Sequence, residues 1–127
     1  IQERTVSMPS TDPKEALPLS PAVFHILLAL ADGDRHGYAI MREVEASTGG
    51  EVRLGPGTLY GAIKRLREQG LIEEVEGAAE PDADEERRRY YRLTALGRRV
   101  AALEAERLER LLEAARAKRL IASVRPA

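Results

Sequence analysis

The last part of the sequence predicts one helix that is too long for a small domain to cover. Thr94 is expected to cap its start, and Leu120 should lie near its end. At a rise of about 1.5 Å per residue, such a helix is on the order of 40 Å long. The whole chain has 127 residues, which is enough for one small domain. Part of the helix must therefore extend beyond that domain.

The apolar residues of this helix form two stripes on different faces. After the first stripe the spacing jumps, and the second stripe follows on a face rotated by roughly 100°. We expect the first stripe to pack on the same chain and the second to pack on a second copy in a two-fold dimer, where each buried Leu would contribute roughly 1.5–3 kcal/mol. The alternative is a solvated helix that is stabilised by its Glu–Arg pairs. The stripes are Leu96, Val100 and Leu103, and then Leu108, Leu111, Leu112 and Ala115.

Three shorter helices are expected before the long one. Ser20 followed by Pro21 is typical of a helix start, and the first helix should run from Ser20 to about Asp32. A second helix is predicted over 37–47, followed by a stub of strand over 51–54. The third helix should open or be capped by Thr58 and end at Gln69, with Gly70 as its terminating glycine.

After Gly70 the pattern changes from helical to extended. Residues 71–75 and 89–93 are short runs rich in β-branched, aliphatic or aromatic side chains, and they flank a long acidic loop. Helix, turn, helix and hairpin, in that order, predict a winged helix-turn-helix. We therefore expect a mainly α fold of the α+β type. Its parts are a flexible N-terminal extension over 1–19, a winged helix-turn-helix with a two-stranded wing over 20–93, and a long C-terminal dimerisation helix over 94–122.

The third helix has one apolar face and one face suited to DNA. In a helix-turn-helix, the second helix presents its outer face and N-terminus to the major groove, where free N–H groups favour phosphate and Lys or Arg reaches phosphates or guanine edges. On an isolated helix the same cations could merely solubilise the surface, but the basic hairpin that follows favours DNA. The residues predicted to contact the major groove are Thr58, Tyr60, Gly61, Lys64 and Arg65. Those predicted to contact the backbone or minor groove from the wing are Arg87, Arg88, Arg89 and Arg92.

Composition narrows the class of protein. Lys and Arg total 20 against 21 Asp and Glu, but eight of the acidic residues fall between Glu73 and Glu86, so the rest of the chain can still present a basic face.

The absence of cysteine excludes disulfides and favours a reducing, cytoplasmic compartment. The longest run without charged residues, Ala16 to Ala31, is shorter than the roughly 18 residues that a membrane span requires.

No constellation of residues predicts catalysis, a metal or a cofactor. His25 and His36 are the only histidines, and neither lies at ligand spacing from another His or Cys. His25 is expected to be a core or edge residue, and His36 could cap the second helix. The Gly55–Thr58 segment lacks the lysine of a phosphate-binding loop. An enzyme is therefore not expected.

Three short motifs follow one another within 19–97. They are His36-Gly37-Tyr38-Ala39-Ile40, then Gly57-Thr58-Leu59-Tyr60 with Leu66 and Gly70-Leu71-Ile72, and then Arg89-Tyr90-Tyr91-Arg92-Leu93-Thr94-Ala95-Leu96-Gly97. This combination resembles the PadR family of bacterial transcriptional regulators, and the long last helix resembles that of the members in which a single C-terminal helix mediates dimerisation. The resemblance implies a repressor that binds a palindromic promoter site and releases it on sensing a small molecule.

The resemblance also assigns residues. It implies that Tyr38, Thr58, Tyr60 and Lys64 face or brace against DNA and that Arg89 is the basic position of the wing. Tyr60 lies beside the apolar stripe, so packing is an equal alternative for it. The acidic wing tip departs from a DNA-binding surface, and the absence of Trp means that the aromatic drug sandwich of some members has no counterpart here.

The sequence thus predicts a DNA-binding regulator with double-stranded promoter DNA, a second copy of itself and an unidentified small-molecule effector as partners. The competing hypothesis is a winged-helix protein–protein interaction module that does not bind DNA and uses its acidic loop to hold a basic partner.

Overall fold

The computed structural model describes residues 12–76 and 89–122. Within these two ranges, the chain forms four α-helices, three short β-strands and a 3₁₀ helix near the N-terminus. The 3₁₀ helix is Pro13–Ala16, and the α-helices are α1 (Pro21–Leu30), α2 (Gly37–Ser47), α3 (Pro56–Glu68) and α4 (Ala95–Ala117). The strands are β1 (Arg35–His36), β2 (Ile72–Glu76) and β3 (Arg89–Leu93). The winged helix-turn-helix fold with a long last helix is confirmed.

The first helix is fixed at both ends by side chains. Ser20 Oγ accepts a hydrogen bond from the Val23 N–H at 3.2 Å, and Pro21 occupies the first turn, as the sequence predicts. At the other end, Arg35 Nε donates to the Ala29 carbonyl at 2.6 Å and Arg98 donates to the Ala31 carbonyl at 3.0 Å. Two cations thus satisfy carbonyl groups where the helix dipole is negative.

The sheet has one strand more than the predicted wing. It is antiparallel with the order β1-β3-β2, and Arg35 lies opposite Tyr91 in β3. The prediction of a strand over 51–54 was wrong, because no strand forms there. The Thr48 hydroxyl instead holds this segment by accepting a hydrogen bond from the Val52 N–H at 3.0 Å. A strand of only two residues has no alternating pattern, so β1 could not be predicted from the sequence.

The start of α3 also differs from the prediction. The helix begins at Pro56, and Gly55 is the N-cap, with no side-chain hydrogen bond to the first turn. Thr58 therefore lies inside the first turn and is not its cap. Proline is favoured at the first helical position because its fixed φ suits the helix and it has no N–H to satisfy. The end of α3 is as expected, since Gly70 adopts a φ of 77° and the Leu71 N–H returns to the Leu66 carbonyl at 2.9 Å.

The core lies between the three shorter helices, the inner face of the sheet and the first half of α4. Two residues of the first stripe of α4 pack on their own chain as predicted, Val100 buried in the core and Leu96 half-buried against it. The third, Leu103, is half-buried but is not among the residues that pack on the core. The other large apolar side chains of the core are Ile26, Leu27, Leu30, Ile40, Val44, Leu59, Ile63, Leu66, Leu71, Ile72 and Tyr91.

Residues 12–19, expected to be part of a flexible extension, are folded onto α4. Asp12 caps the 3₁₀ helix by accepting the Lys14 N–H at 3.0 Å, and Ala16, Leu17 and Leu19 pack against the core. The buried carboxylate of Glu104 in α4 accepts a hydrogen bond from the Leu19 N–H. The folded domain thus begins earlier than position 20, and the rest of the predicted extension, 1–11, lies outside the described residues.

Candidate nucleic-acid interface

The two faces of α3 differ as the helical period predicts. Leu59, Ala62, Ile63 and Leu66 are buried, whereas Thr58, Lys64 and Arg65 are exposed. Thr58, Gly61 and Arg65 follow one another at spacings of three and four residues, so they form one line along the helix. The helix therefore presents its first turn and a row of polar groups to solvent.

Gly61 leaves space that the Arg65 side chain uses. A methyl group at Gly61 would lie 3.6 Å from Arg65 Nη1. The guanidinium therefore folds back along the exposed line toward the N-terminus of α3, where the free N–H groups of the first turn favour an anion.

The cations near α3 and the wing fall into two groups. In the part of the chain that the structure describes, Lys64 and Arg65 have no ion pair, whereas Arg67 lies 3.2 Å from a Glu74 carboxylate oxygen. Arg92 donates two hydrogen bonds to Asp34, at 3.2 and 2.8 Å. These hydrogen bonds hold the pKa of Asp34 below its ordinary value, with burial opposing and the charge of Arg92 adding to the effect. Arg92 is thus engaged within the protein rather than free for DNA.

The remaining predicted residues of the wing are only partly described. Arg89 is exposed at the start of β3 and pairs in register with Glu76 of β2. Arg87 and Arg88 lie outside the described residues. The described part of the wing therefore offers a less basic surface than its sequence suggests.

Tyr60 braces the two helices of the helix-turn-helix. The residue is half-buried against the core, and a methyl group at Gly37 would lie 2.7 Å from its ring carbon Cζ. The ring thus fills the space above the start of α2. Of the two interpretations that the sequence allows, this geometry supports packing.

The first turn of α2 combines a cap with an exposed aromatic ring. His36 Nδ1 accepts the Ala39 N–H at 3.0 Å, which makes this histidine the cap of α2, and its ring lies edge-on to Tyr90 at 5.5 Å. Tyr38 is exposed, and the guanidinium carbon of Arg42 lies 5.2 Å from the centre of its ring. Arg42 was not predicted as a site residue, although its spacing of four residues from Tyr38 is a usable signal in the sequence.

Among the crevices in the described part of the chain, two border α3. One lies between α3 and β2 and has both signs of charge, since Lys64, Arg67, Glu68, Glu73 and Glu74 line it. The other is a cavity of about 190 Å³ between the 3₁₀ helix, the end of α3 and the first turns of α4. Apolar side chains such as Leu71 and Leu96 line this cavity together with Asp12 and Glu15.

Comparison with known proteins shows the family to which this winged helix-turn-helix belongs. Residues 26–103 match the model of the transcriptional regulator PadR-like family, a stretch that begins within α1 and ends within α4. The chain belongs to the PadR-like family. The family assignment from the three sequence motifs is thereby confirmed.

The relatives of this PadR-like chain include proteins of other lengths. An uncharacterised 37.1 kDa protein from a transposon of Streptomyces fradiae is 42% identical over 86 residues, which are 68% of this chain and 22% of that protein. The PadR-like chain therefore spans about a fifth of the length of this relative.

Solved structures share the fold. A transcriptional regulator from Clostridium thermocellum is 28% identical with a TM-score of 0.61, and the match covers 76% of this chain and 93% of that one. The structure of Bacillus subtilis PadR in complex with operator DNA is 20% identical with a TM-score of 0.56, over 65% of this chain and 46% of that one. At that identity the second likeness concerns the fold alone.

The described residues of the PadR-like chain contain neither a candidate metal site nor a membrane-spanning helix. Over residues 12–76 and 89–122, no three His, Asp or Glu side chains are grouped so that they could hold a metal ion. Within the same residues, every helix is too short or too polar to cross a bilayer.

Proposed function

We propose that this chain binds promoter DNA as a homodimer and represses transcription, with α3 in the major groove. The opposite faces of α3 fit this role, because one is buried in the core and the other presents Thr58, Lys64 and Arg65 to solvent. A helix-turn-helix reads DNA with the exposed face of its second helix. The chain shares its fold with B. subtilis PadR, whose structure is a complex with operator DNA, and this supports DNA binding.

The charge pattern of α3 is the observation on which the proposal depends. Within the described residues, Lys64 and Arg65 are cations without a carboxylate partner, whereas Arg67 and Arg92 are neutralised by Glu74 and Asp34. Unpaired cations on one exposed helix face suit a polyanion such as the phosphate backbone. The wing contributes Arg89, and Arg92 would contribute only after leaving Asp34.

The homodimer is supported by the second stripe of α4. Leu111 and Leu112 are 55% and 48% exposed, and Leu108 and Ala115 are partly exposed on the same face. A contiguous apolar stripe on a charged helix is typical of a helix–helix interface. A two-fold dimer would present two α3 helices to the two halves of a palindromic site.

The test is a titration of the DNA upstream of the chain's own gene. Wild type should bind this duplex, and Lys64→Ala should lower the affinity and reduce the slope of log affinity against log salt by about one, because one phosphate contact is lost. Lys14→Ala is the matched control, since Lys14 is an exposed lysine on the 3₁₀ helix and does not belong to the exposed face of α3. Equal effects of the two substitutions would remove Lys64 from the interface.

Repression and effector response are tested on the same promoter. Transcription from it should rise when Lys64→Ala replaces the wild type, and a footprint repeated with candidate small molecules should show release of the DNA by the effector. A wild-type protein that fails to bind any upstream duplex would support the alternative of a protein-interaction module.

A further inference from the structure

An exposed cation outside α3, Arg42, lies on the solvent side of α2. The guanidinium carbon of Arg42 is 5.2 Å from the centre of the Tyr38 ring, and Tyr38 is 45% exposed. A cation at this distance from an aromatic face is attracted by the ring's electrons. Because Tyr38 lies one turn earlier in α2, the contact holds the Arg42 side chain toward the start of the helix.

The carboxylates near Arg42 on α2 are engaged by other arginines. A Glu43 carboxylate oxygen lies 3.6 Å from the guanidinium of Arg35, and one of Glu45 lies 3.7 Å from that of Arg53. Arg42 has no ion pair within the residues that the structure describes. Its positive charge is therefore available to an anion from outside the protein.

The start of α2 lies beside the first half of α3. The Tyr60 ring of α3 fills the space directly above Gly37, the residue before Tyr38. In a helix-turn-helix whose second helix occupies the major groove, the first helix crosses the phosphate backbone. The exposed start of α2 thus adjoins the first half of α3, through the contact between Gly37 and Tyr60.

We propose that Arg42 binds a phosphate of the duplex backbone and that the Tyr38 ring is the platform that orients its guanidinium. This inference rests on the proposed function and adds a backbone contact on α2. A planar guanidinium can donate two parallel hydrogen bonds to a phosphate, and stacking on a ring reduces the freedom lost when they form. Phosphate contacts carry no sequence information, so Arg42 sets affinity and register rather than base preference.

The test uses a fluorescein-labelled duplex of arbitrary sequence, about 30 base pairs long, titrated at several KCl concentrations. Arg42→Ala should weaken binding about tenfold at low salt and reduce the log–log salt slope by about one. Arg99→Ala is the matched control, because it removes the same charge from an exposed position on α4. An unchanged slope in Arg42→Ala, or equal losses in the two variants, would overturn the proposal.

The platform is tested by a double-mutant cycle. Tyr38→Phe keeps the ring and should retain the orientation of Arg42, whereas Tyr38→Leu should weaken binding. In the Arg42→Ala background the loss from Tyr38→Leu should be smaller, because the ring then has no guanidinium to orient. Additive losses would show that Tyr38 does not act through Arg42. Circular dichroism of each variant checks that the fold is retained.

Failure of this inference can be told apart from failure of the proposed function. Wild type that prefers the upstream duplex to the arbitrary one, together with an unchanged slope in Arg42→Ala, would overturn the phosphate site alone. Wild type that binds both duplexes equally, with a reduced slope in Arg42→Ala, would contradict the regulatory function and still support the phosphate site.

Discussion

Gly97 is a residue whose identity is decided by a backbone contact. A methyl group there would collide with the Leu71 carbonyl oxygen and lie 2.8 Å from its carbon. The backbone of Leu71 is itself held, since its N–H donates to Leu66 at 2.9 Å and its carbonyl accepts the Thr94 N–H at 3.1 Å. No change of rotamer can therefore relieve the clash.

Gly97→Ala should accordingly lower the free energy of unfolding by about 3 kcal/mol, measured by urea denaturation. Gly57→Ala is the matched control, because Gly57 also lies in the first turn of a helix but has no heavy atom within 4 Å of an added methyl group. That substitution should be neutral or raise the free energy by about 0.5–1 kcal/mol. Similar values for the two variants would show that α4 can move away from Leu71.

The exposure or pairing of a single side chain can be predicted from the sequence when it is determined by nearby positions in the chain. The exposure of Lys64 and Arg65 follows from the period of their own helix, so the sequence predicts it. The pairing of Arg92 with Asp34 does not follow from any pattern, because the two residues are far apart in sequence and meet only through the β1–β3 pairing. The roles of Arg92 and Tyr60 therefore required the structure.

Among the elements, α4 is tied to the N-terminal segment by one buried carboxylate. Glu104 is 2% exposed, and its two oxygens each accept a hydrogen bond from Arg107 at 2.8 Å. The Leu19 N–H donates to the same carboxylate. Glu104 thus joins the folded part of the predicted extension to the long helix, at the point where the first stripe ends.

The free energy of unfolding should depend on the protonation of Glu104. The hydrogen bonds from Arg107 hold its pKa below the ordinary value of 4.5 against the effect of burial, and the charge of Arg107 and the Leu19 N–H lower it further. A lowered pKa in the folded state stabilises the fold above pH 4.5, and this contribution disappears as the pH falls through the folded-state pKa.

Glu104→Gln should therefore be less stable than wild type by about 2 kcal/mol at pH 7, because charged hydrogen bonds are lost. The difference between the two proteins should shrink as denaturation is repeated at pH values progressively below 4.5. Glu106→Gln, at an exposed position of the same helix, serves as the control and should match wild type throughout. A difference that is independent of pH would contradict the role of the charge.

Helices and strands could be predicted from the sequence where they are long enough to show a periodic pattern of apolar residues. The helical period places α2 at the predicted bounds, and the capping residues Ser20 and Thr94 fix the starts of α1 and α4. The two-residue β1 and the four-residue 3₁₀ helix are too short to show a period, so their positions depend on the β3 edge and on the α4 surface.

At the scale of the whole molecule, the second half of α4 presents an exposed apolar face, which is unusual for a small domain. The family match ends at residue 103, whereas the second stripe of α4 begins at Leu108 and continues toward the C-terminal end of the helix. The sequence predicts this face from the rotation between the two stripes, and the structure leaves it exposed. Assembly of two copies remains a prediction, because the contacts within a single chain do not determine a symmetric interface.

Leu111→Glu combined with Leu112→Glu should convert a dimer into monomers, which sedimentation equilibrium would detect. Point substitutions are preferable to truncation at the start of α4, since Val100 and Glu104 belong to the core. Ala102→Glu adds a charge to an exposed position on another face of the helix and should leave the dimer intact. A wild-type protein that sediments as a monomer, or a dimer that survives the double substitution, would contradict the proposed interface.

The attachment of α4 has a consequence for the DNA that such a dimer could accept. Thr94 both ends the strand segment and caps α4, and the contacts of Gly97 and Glu104 fasten the first turns of the helix to the domain. Within residues 89–122, no linker separates β3 of the wing from α4, the helix that is proposed to contact a second copy. In the proposed dimer, the angle at which the two α4 helices cross would therefore set the distance between the two half-sites. If base pairs were inserted between the half-sites, the duplex would have to twist for both to be bound.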